Sequence, residues 1–192
     1  MSRFMTPKPW VDPAKAASET LVRSGQPRLA NRRAIDVEKI AREFCRVEPM
    51  FIPDLSPSGK PLLGLYSPDL NAILINSDNV EVRQRFTLAH EIGHIQLEHD
   101  HGGADSLFEL PEIKTFECSD DGVGFTGADE RSIGRFRRAE IRANQFAAHL
   151  LMPESLVREV WREENGNEER VARTLQVSKV SLGYRLLDLR LG

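Results

Sequence analysis

His90-Glu91-Ile92-Gly93-His94 sets two imidazoles four residues apart, one turn above the other on a single helix face. Rings stacked this way can converge on one metal ion. Glu91, beside them, is a carboxylate suited to handling the proton of an attacking water. The five residues therefore imply zinc-assisted hydrolysis of a peptide bond. Their flanks predict a helix over about Val82 to Glu98, with Phe86, Ala89, Ile92, Gly93 and Ile95 turned toward a core. Gly93 is small enough to let a second backbone come close. The competing reading is a structural histidine pair with no ion.

A catalytic zinc takes three protein ligands and keeps a fourth position open. One source of the third ligand lies just downstream, in His99, Asp100 and His101. That geometry needs a sharp turn, usually at a glycine three residues after the second histidine, and Leu97 stands there. The better source is Glu140, in Glu140-Ile141-Arg142-Ala143-Asn144-Gln145-Phe146-Ala147-Ala148. Glu140 and Asn144 fall one turn apart on a helix, so Glu140 can reach the metal while Asn144 orients a liganding imidazole through its outer nitrogen. The alternative is a solvated Glu140 paired with Arg137 or Arg142. Two imidazoles and a carboxylate suit Zn2+ and also admit manganese or iron.

Two stretches together carry a family resemblance. Arg85-Phe86-Thr87-Leu88-Ala89-His90-Glu91-Ile92-Gly93-His94, followed by Glu140-x-x-Ala143-Asn144-x-Phe146-Ala147-Ala148-x-Leu150-Leu151-Met152-Pro153, resembles the ImmA/IrrE metallopeptidases. The run from Val171-Ala172 through Val177-Ser178 to Leu186 is also similar to theirs. The resemblance covers most of residues 35–192. It implies a minimal zincin fold with His90, His94 and Glu140 as ligands and Glu91 as general base. It also implies a protein substrate, a helix-turn-helix repressor whose cleavage switches genes on in stress response or mobile-element control. The chain departs from the family pattern at Arg142, where another glutamate is frequent, and in its longer acidic segment between the motifs.

The rest of the chain predicts an α+β fold: a small, mostly antiparallel sheet packed on helices, followed by a helix-turn-helix-like C-terminal region. Residues 1–34 read as an arm and a helix, with Asp12 as N-cap and Pro13 at the first helical position. Residues 35–152 read as the peptidase domain. There Asp36 caps a second helix with Val37, Ile40, Ala41 and Phe44 as its apolar stripe. Val47–Ile52 is an edge or bulged strand because of Pro49, and Leu62–Tyr66 and Asn71–Asn76 form a hairpin. Asp78 or Asn79 is the expected cap of the motif helix. An acidic insert occupies about 100–130 and contains Cys118, a candidate lid. Residues 153–192 read as helices.

Composition narrows the function classes. A 192-residue chain with 40% hydrophobic and 29% charged residues can bury one core. Net charge of -3 provides no global field for nucleic acid. Two cysteines make no disulfide framework, no apolar run suits a bilayer, and the first residues lack a secretory apolar segment, so a cytoplasmic protein without membrane contact is expected.

Three further expectations concern substrate and partners. Ala72, Ile73, Leu74 and Ile75 form a possible edge strand for pairing with an extended substrate. His149, Tyr184 or an arginine can supply the oxyanion donor. The alternative function is a DNA-binding regulator with a structural metal: the turn at Gln176–Ser178 would precede a second helix bearing Lys179 and Arg185, with Arg131, Arg135, Arg137 and Arg138 adding phosphate contacts.

Overall fold

The computed structural model describes residues 11–26, 34–56, 62–97, 117–119, 122–124 and 130–191, with side chains before Arg138 on the last segment's helix left aside. The N-terminal arm before Val11, the trio His99, Asp100 and His101, and a lid made from the acidic insert lie outside the described residues.

Helix α1 (Pro13–Arg23) starts where Asp12 accepts a hydrogen bond from the Lys15 backbone N–H, with proline in the first turn. Asp36 caps the next helix in the same way, through the Lys39 N–H at 3.0 Å. That helix, α2 (Val37–Lys39), widens at once into a π-helical stretch, Ile40–Cys45, and stops at Arg46, which is left-handed at φ 59°. Sequence spacing predicts one α-helix here. The wider turn still buries Val37, Ile40 and Ala41.

Strands β1 (Glu48–Ile52), β2 (Gly64–Ser67) and β3 (Ala72–Asn76) form a mixed sheet in the order β1-β3-β2. β1 runs parallel to β3, and β2 pairs antiparallel with it across the turn at 68–71. Pro49 sits on an edge strand, where its missing N–H costs least. The expectation that Ala72, Ile73, Leu74 and Ile75 offer a free edge is corrected: β3 is the centre of the sheet and is paired on both sides. Its composition gives the reason. Ala72, Ile73 and Ile75 are buried, so the strand faces protein on both surfaces and needs both ladders.

Helix α3 (Glu81–Gln96) carries the motif. It starts after Val80, and neither Asp78 nor Asn79 caps it. Asp78 instead accepts the Asp54 N–H at 2.9 Å. Short strands β4 (Glu117–Ser119) and β5 (Gly122–Gly124) pair antiparallel. The long helix α4 (Glu130–Leu151) lies across α3 and α1. Gly93 permits this: a Cβ there would sit 3.0 Å from Phe146 Cδ1 and 3.2 Å from the Ala143 carbonyl oxygen. Helices α5 (Glu154–Glu163), α6 (Glu168–Leu175) and α7 (Lys179–Leu189) follow, with Asn167 and Ser178 as side-chain N-caps.

One apolar cluster runs from Ala16 on α1 to Leu189 on α7. Phe146, Ile73, Ile75, Leu88, Ile92 and Leu150 are fully buried at its centre, each stabilising the fold by roughly 1.5–3 kcal/mol. Arg85 ties the motif helix into this frame, donating to the Ile35 carbonyl at 2.8 Å and the Gln176 carbonyl at 3.3 Å. Among the described residues no helix is long and apolar enough to cross a membrane.

Candidate metal centre

The crossing of α3 and α4 brings three side chains to one point. Nε2 of His90 and Nε2 of His94 are 2.9 Å apart. The Glu140 carboxylate closes the triangle, with Oε2 3.2 Å from His90 Nε2 and Oε1 3.1 Å from His94 Nε2. All three side chains are largely shielded from solvent. Among the described residues they form the group able to hold a metal ion.

This donor set fits zinc. Bonds of about 2.0–2.1 Å in a tetrahedron set ligand atoms about 3.3 Å apart. The observed spacings fall a few tenths of an ångström inside that. The imidazole tautomer suits a metal as well. Asn144 Oδ1 lies 2.8 Å from His90 Nδ1 and can only accept, so neutral His90 carries its proton on Nδ1 and offers an Nε2 lone pair toward Glu140. The Glu140 carboxylate turns to the two imidazoles, and the Arg142 guanidinium donates to the Val11 carbonyl at 2.7 Å.

Charge couples the three groups. Burial alone would lower the His90 pKa, but the Glu140 carboxylate, with Glu91 and Asn144, raises it above the ordinary value. Burial would likewise raise Glu140, yet hydrogen bonds to His90 and His94 hold it down at about 2.

The Glu91 carboxylate lies near both imidazoles and reaches the backbone at the edge of the sheet. Burial pushes its carboxyl up, while His90, His94 and a hydrogen bond from the Tyr66 backbone N–H oppose the shift. The Tyr66 contact follows from strand register. Asn76 donates to the Leu63 carbonyl at 2.9 Å, so Leu63 is a hydrogen-bonded position, and alternation turns the Gly64 and Tyr66 amides to the outer edge of β2. Gly64 lets α3 lie close enough, because a Cβ there would meet Thr87 Cγ2 at 2.5 Å. Side-chain chemistry gave no sign of this backbone donor. A glycine inside a β-prone run was the available signal.

The oxyanion candidates separate. Tyr184 lines a groove that Asn144 also lines, together with Phe86, Ile141 and Ala148. His149 is half-buried. Its pKa is lowered by burial and then by Arg185, with Asp188 and Asp12 opposing. Arg185 does not serve as a DNA-facing residue. It is 5% exposed and donates from Nε to the Met152 carbonyl at 3.0 Å. The turn between α6 and α7 does form at Gln176–Ser178, with Gln176 left-handed. However, the exposed surface of α7 includes Val180, Tyr184 and Leu187.

The radiation response metalloprotease IrrE of Deinococcus radiodurans is 35% identical over 97 residues, a stretch that makes up 50% of this chain and 24% of that protein. The matched stretch thus spans about a quarter of that curated relative. A solved Mycobacterium tuberculosis transcriptional regulator shares the fold, with a TM-score of 0.61 at 16% identity, over 91% of this chain and 46% of that one. The peptidase family model described as the IrrE N-terminal-like domain matches residues 52–187, from the end of β1 through most of α7, and the chain belongs to that family.

Proposed function

We propose that the chain is a zinc-dependent, site-specific endopeptidase. The observation that carries this reading is the convergence of His90 Nε2, His94 Nε2 and the Glu140 carboxylate at 2.9–3.2 Å, with the Glu91 carboxylate close enough to feel all three. His90, His94 and Glu140 would hold the ion. When bound, zinc supplies Lewis acidity toward a scissile carbonyl and lowers the pKa of water toward about 7.

The chain's own groups do the rest. Asn144 fixes the His90 ring through Nδ1. The Tyr66 N–H holds the Glu91 carboxylate at the edge of β2. Glu91 accepts a proton from the attacking water and passes it to the leaving amide nitrogen. Burial of the cluster excludes bulk water and strengthens each of these contacts. An extended substrate would lie along the outer edge of β2, the edge from which the Tyr66 amide projects.

The substrate we assign is a helix-turn-helix transcriptional repressor in the cytoplasm, cleaved to release its genes. This assignment rests on family membership and on the similarity to a radiation response metalloprotease. The test is incubation of the zinc-loaded protein with the repressor encoded beside it. Wild type should cut it at one site, while Glu91→Gln should keep its zinc and lose cleavage by about 100-fold or more. Cleavage at the wild-type rate by Glu91→Gln would reject the mechanism.

A further inference from the structure

We propose that Arg85 is a positioning residue for the metal centre: by tying the first half of the motif helix to the turn between α6 and α7, it sets the distance from His90 to Glu140 across which the ion would be held. The proposal rests on the hydrolytic reading above and deepens it.

The Arg85 guanidinium spans two segments remote in sequence. Nη2 donates to the Ile35 carbonyl at 2.8 Å, just ahead of α2. Nε donates to the Gln176 carbonyl at 3.3 Å, in the left-handed turn between α6 and α7. The group is partly buried; that burial lowers its pKa, with Glu81, Asp36 and Glu38 opposing the shift. The rigid guanidinium fork can serve both carbonyls at once, which a lysine ammonium does not match. The helix needs such a tie, because no side chain caps its N-terminus at Val80. Thr87, two residues on and so on the opposite face, rests against the sheet at Gly64. The sheet therefore supports one face of the first two turns, and Arg85 ties the other.

The crossing with α4 acts as a fulcrum. The two helices touch at Gly93, where Phe146 and Ala143 fill the space a side chain would take. Arg85 lies eight residues ahead of that point, about 12 Å along the axis, and His90 three residues ahead, about 4.5 Å. A swing of about 1 Å at Arg85 therefore moves His90 by roughly 0.4 Å. Metal–ligand distances tolerate only about 0.2 Å. Glu140, on α4, does not share the swing, and His94, next to Gly93, stays nearly still. Untying Arg85 opens the His90 side of the triangle and leaves the His94 side closed.

The experiment measures zinc affinity, by competition with a fluorescent chelator, and needs no turnover. It compares wild type, Arg85→Met, Arg85→Lys and a packing control, Val157→Ala, at a fully buried position of α5. Arg85→Met should bind zinc about tenfold more weakly. Arg85→Lys should fall between it and wild type. Val157→Ala should keep wild-type affinity despite its lost packing. In a His90→Gln background Arg85→Met should change affinity by less than about twofold, whereas in a His94→Gln background the loss should persist. If circular dichroism shows Arg85→Met unfolded, Arg85→Lys carries the same comparisons. Wild-type affinity in the arginine variants, an equal loss in Val157→Ala, or a loss undiminished by His90→Gln overturns the positioning role and leaves the hydrolytic reading standing. Failure of wild type to take up zinc removes the hydrolytic reading and this role with it.

Discussion

Asn144 Oδ1 lies 2.8 Å from Nδ1 of His90, on the side of the ring away from Glu140. An amide oxygen has no proton to give, so the contact works with one tautomer of the neutral ring. On the proposed zinc reading, the residue orients a metal donor without touching the metal. Asn144→Ala should weaken zinc binding by about 10–100-fold, whereas Asn144→Asp should hold it near wild type. Competition against a fluorescent chelator measures both, and an alanine variant with wild-type affinity would show the contact to be incidental.

Zinc affinity should rise with pH. In the metal-free protein His90 is raised by Glu140, so its contribution to stability is complete below its ordinary value of about 6.5 and fades as pH climbs through the raised one. Glu140 is depressed to about 2, so its contribution holds above the ordinary carboxylate range and fades only as pH falls toward that value. Between these limits a proton occupies the site that zinc must take. Calorimetry at pH 6 in buffers of different ionisation enthalpy should report proton release on zinc binding. Buffer-independent heats and a flat affinity from pH 6 to 8 would contradict this.

Glu91 has the opposite linkage. Burial raises its carboxyl, so above the folded pKa the ionised group favours the unfolded chain. Glu91→Gln keeps an acceptor for the Tyr66 N–H and removes the buried charge. The metal-free variant should melt at a higher temperature than metal-free wild type at pH 7, and a lower one would count against the assignment. A variant more stable yet inactive is what a strained functional group produces.

Gly64 controls the distance between β2 and the motif helix. Gly64→Ala sets its methyl against Thr87 Cγ2 and the Leu74 carbonyl oxygen, built at 2.5 and 2.9 Å. The protein should lose about 1–3 kcal/mol in denaturant unfolding. Pairing it with Thr87→Ser, which removes the clashing methyl, should recover part of the loss. No recovery would mean that the strand and helix adjust independently.

The motif helix, Glu140 and its companion Asn144 were legible because helical spacing converts directly into shared faces. Gly93 was legible for a related reason: a small residue between two buried turns announces a close helix crossing, and Phe146 and Ala143 of α4 fill that space. Strand order was not legible. The alternation that marks Ala72–Ile75 as a strand says nothing of its neighbours, and β1 reaches it in parallel across a long connection. Its near-continuous apolar run was the clue to a central position. Arg185 misled for a different reason. A basic residue after a tight turn suits DNA, but its Nε instead satisfies the buried carbonyl of Met152 beyond the end of α4. The Tyr66 amide was invisible because any residue at that register offers the same N–H.

The central claim is that one ion sits between α3 and α4, held by His90, His94 and Glu140. Anomalous diffraction at the zinc absorption edge, on crystals grown with zinc and with no added chelator, addresses it directly. The account predicts a single strong peak about 2.0–2.2 Å from both Nε2 atoms and from a Glu140 oxygen, absent in crystals of Glu140→Ala. A peak elsewhere in the chain, or none at the crossing of the two helices, would contradict it.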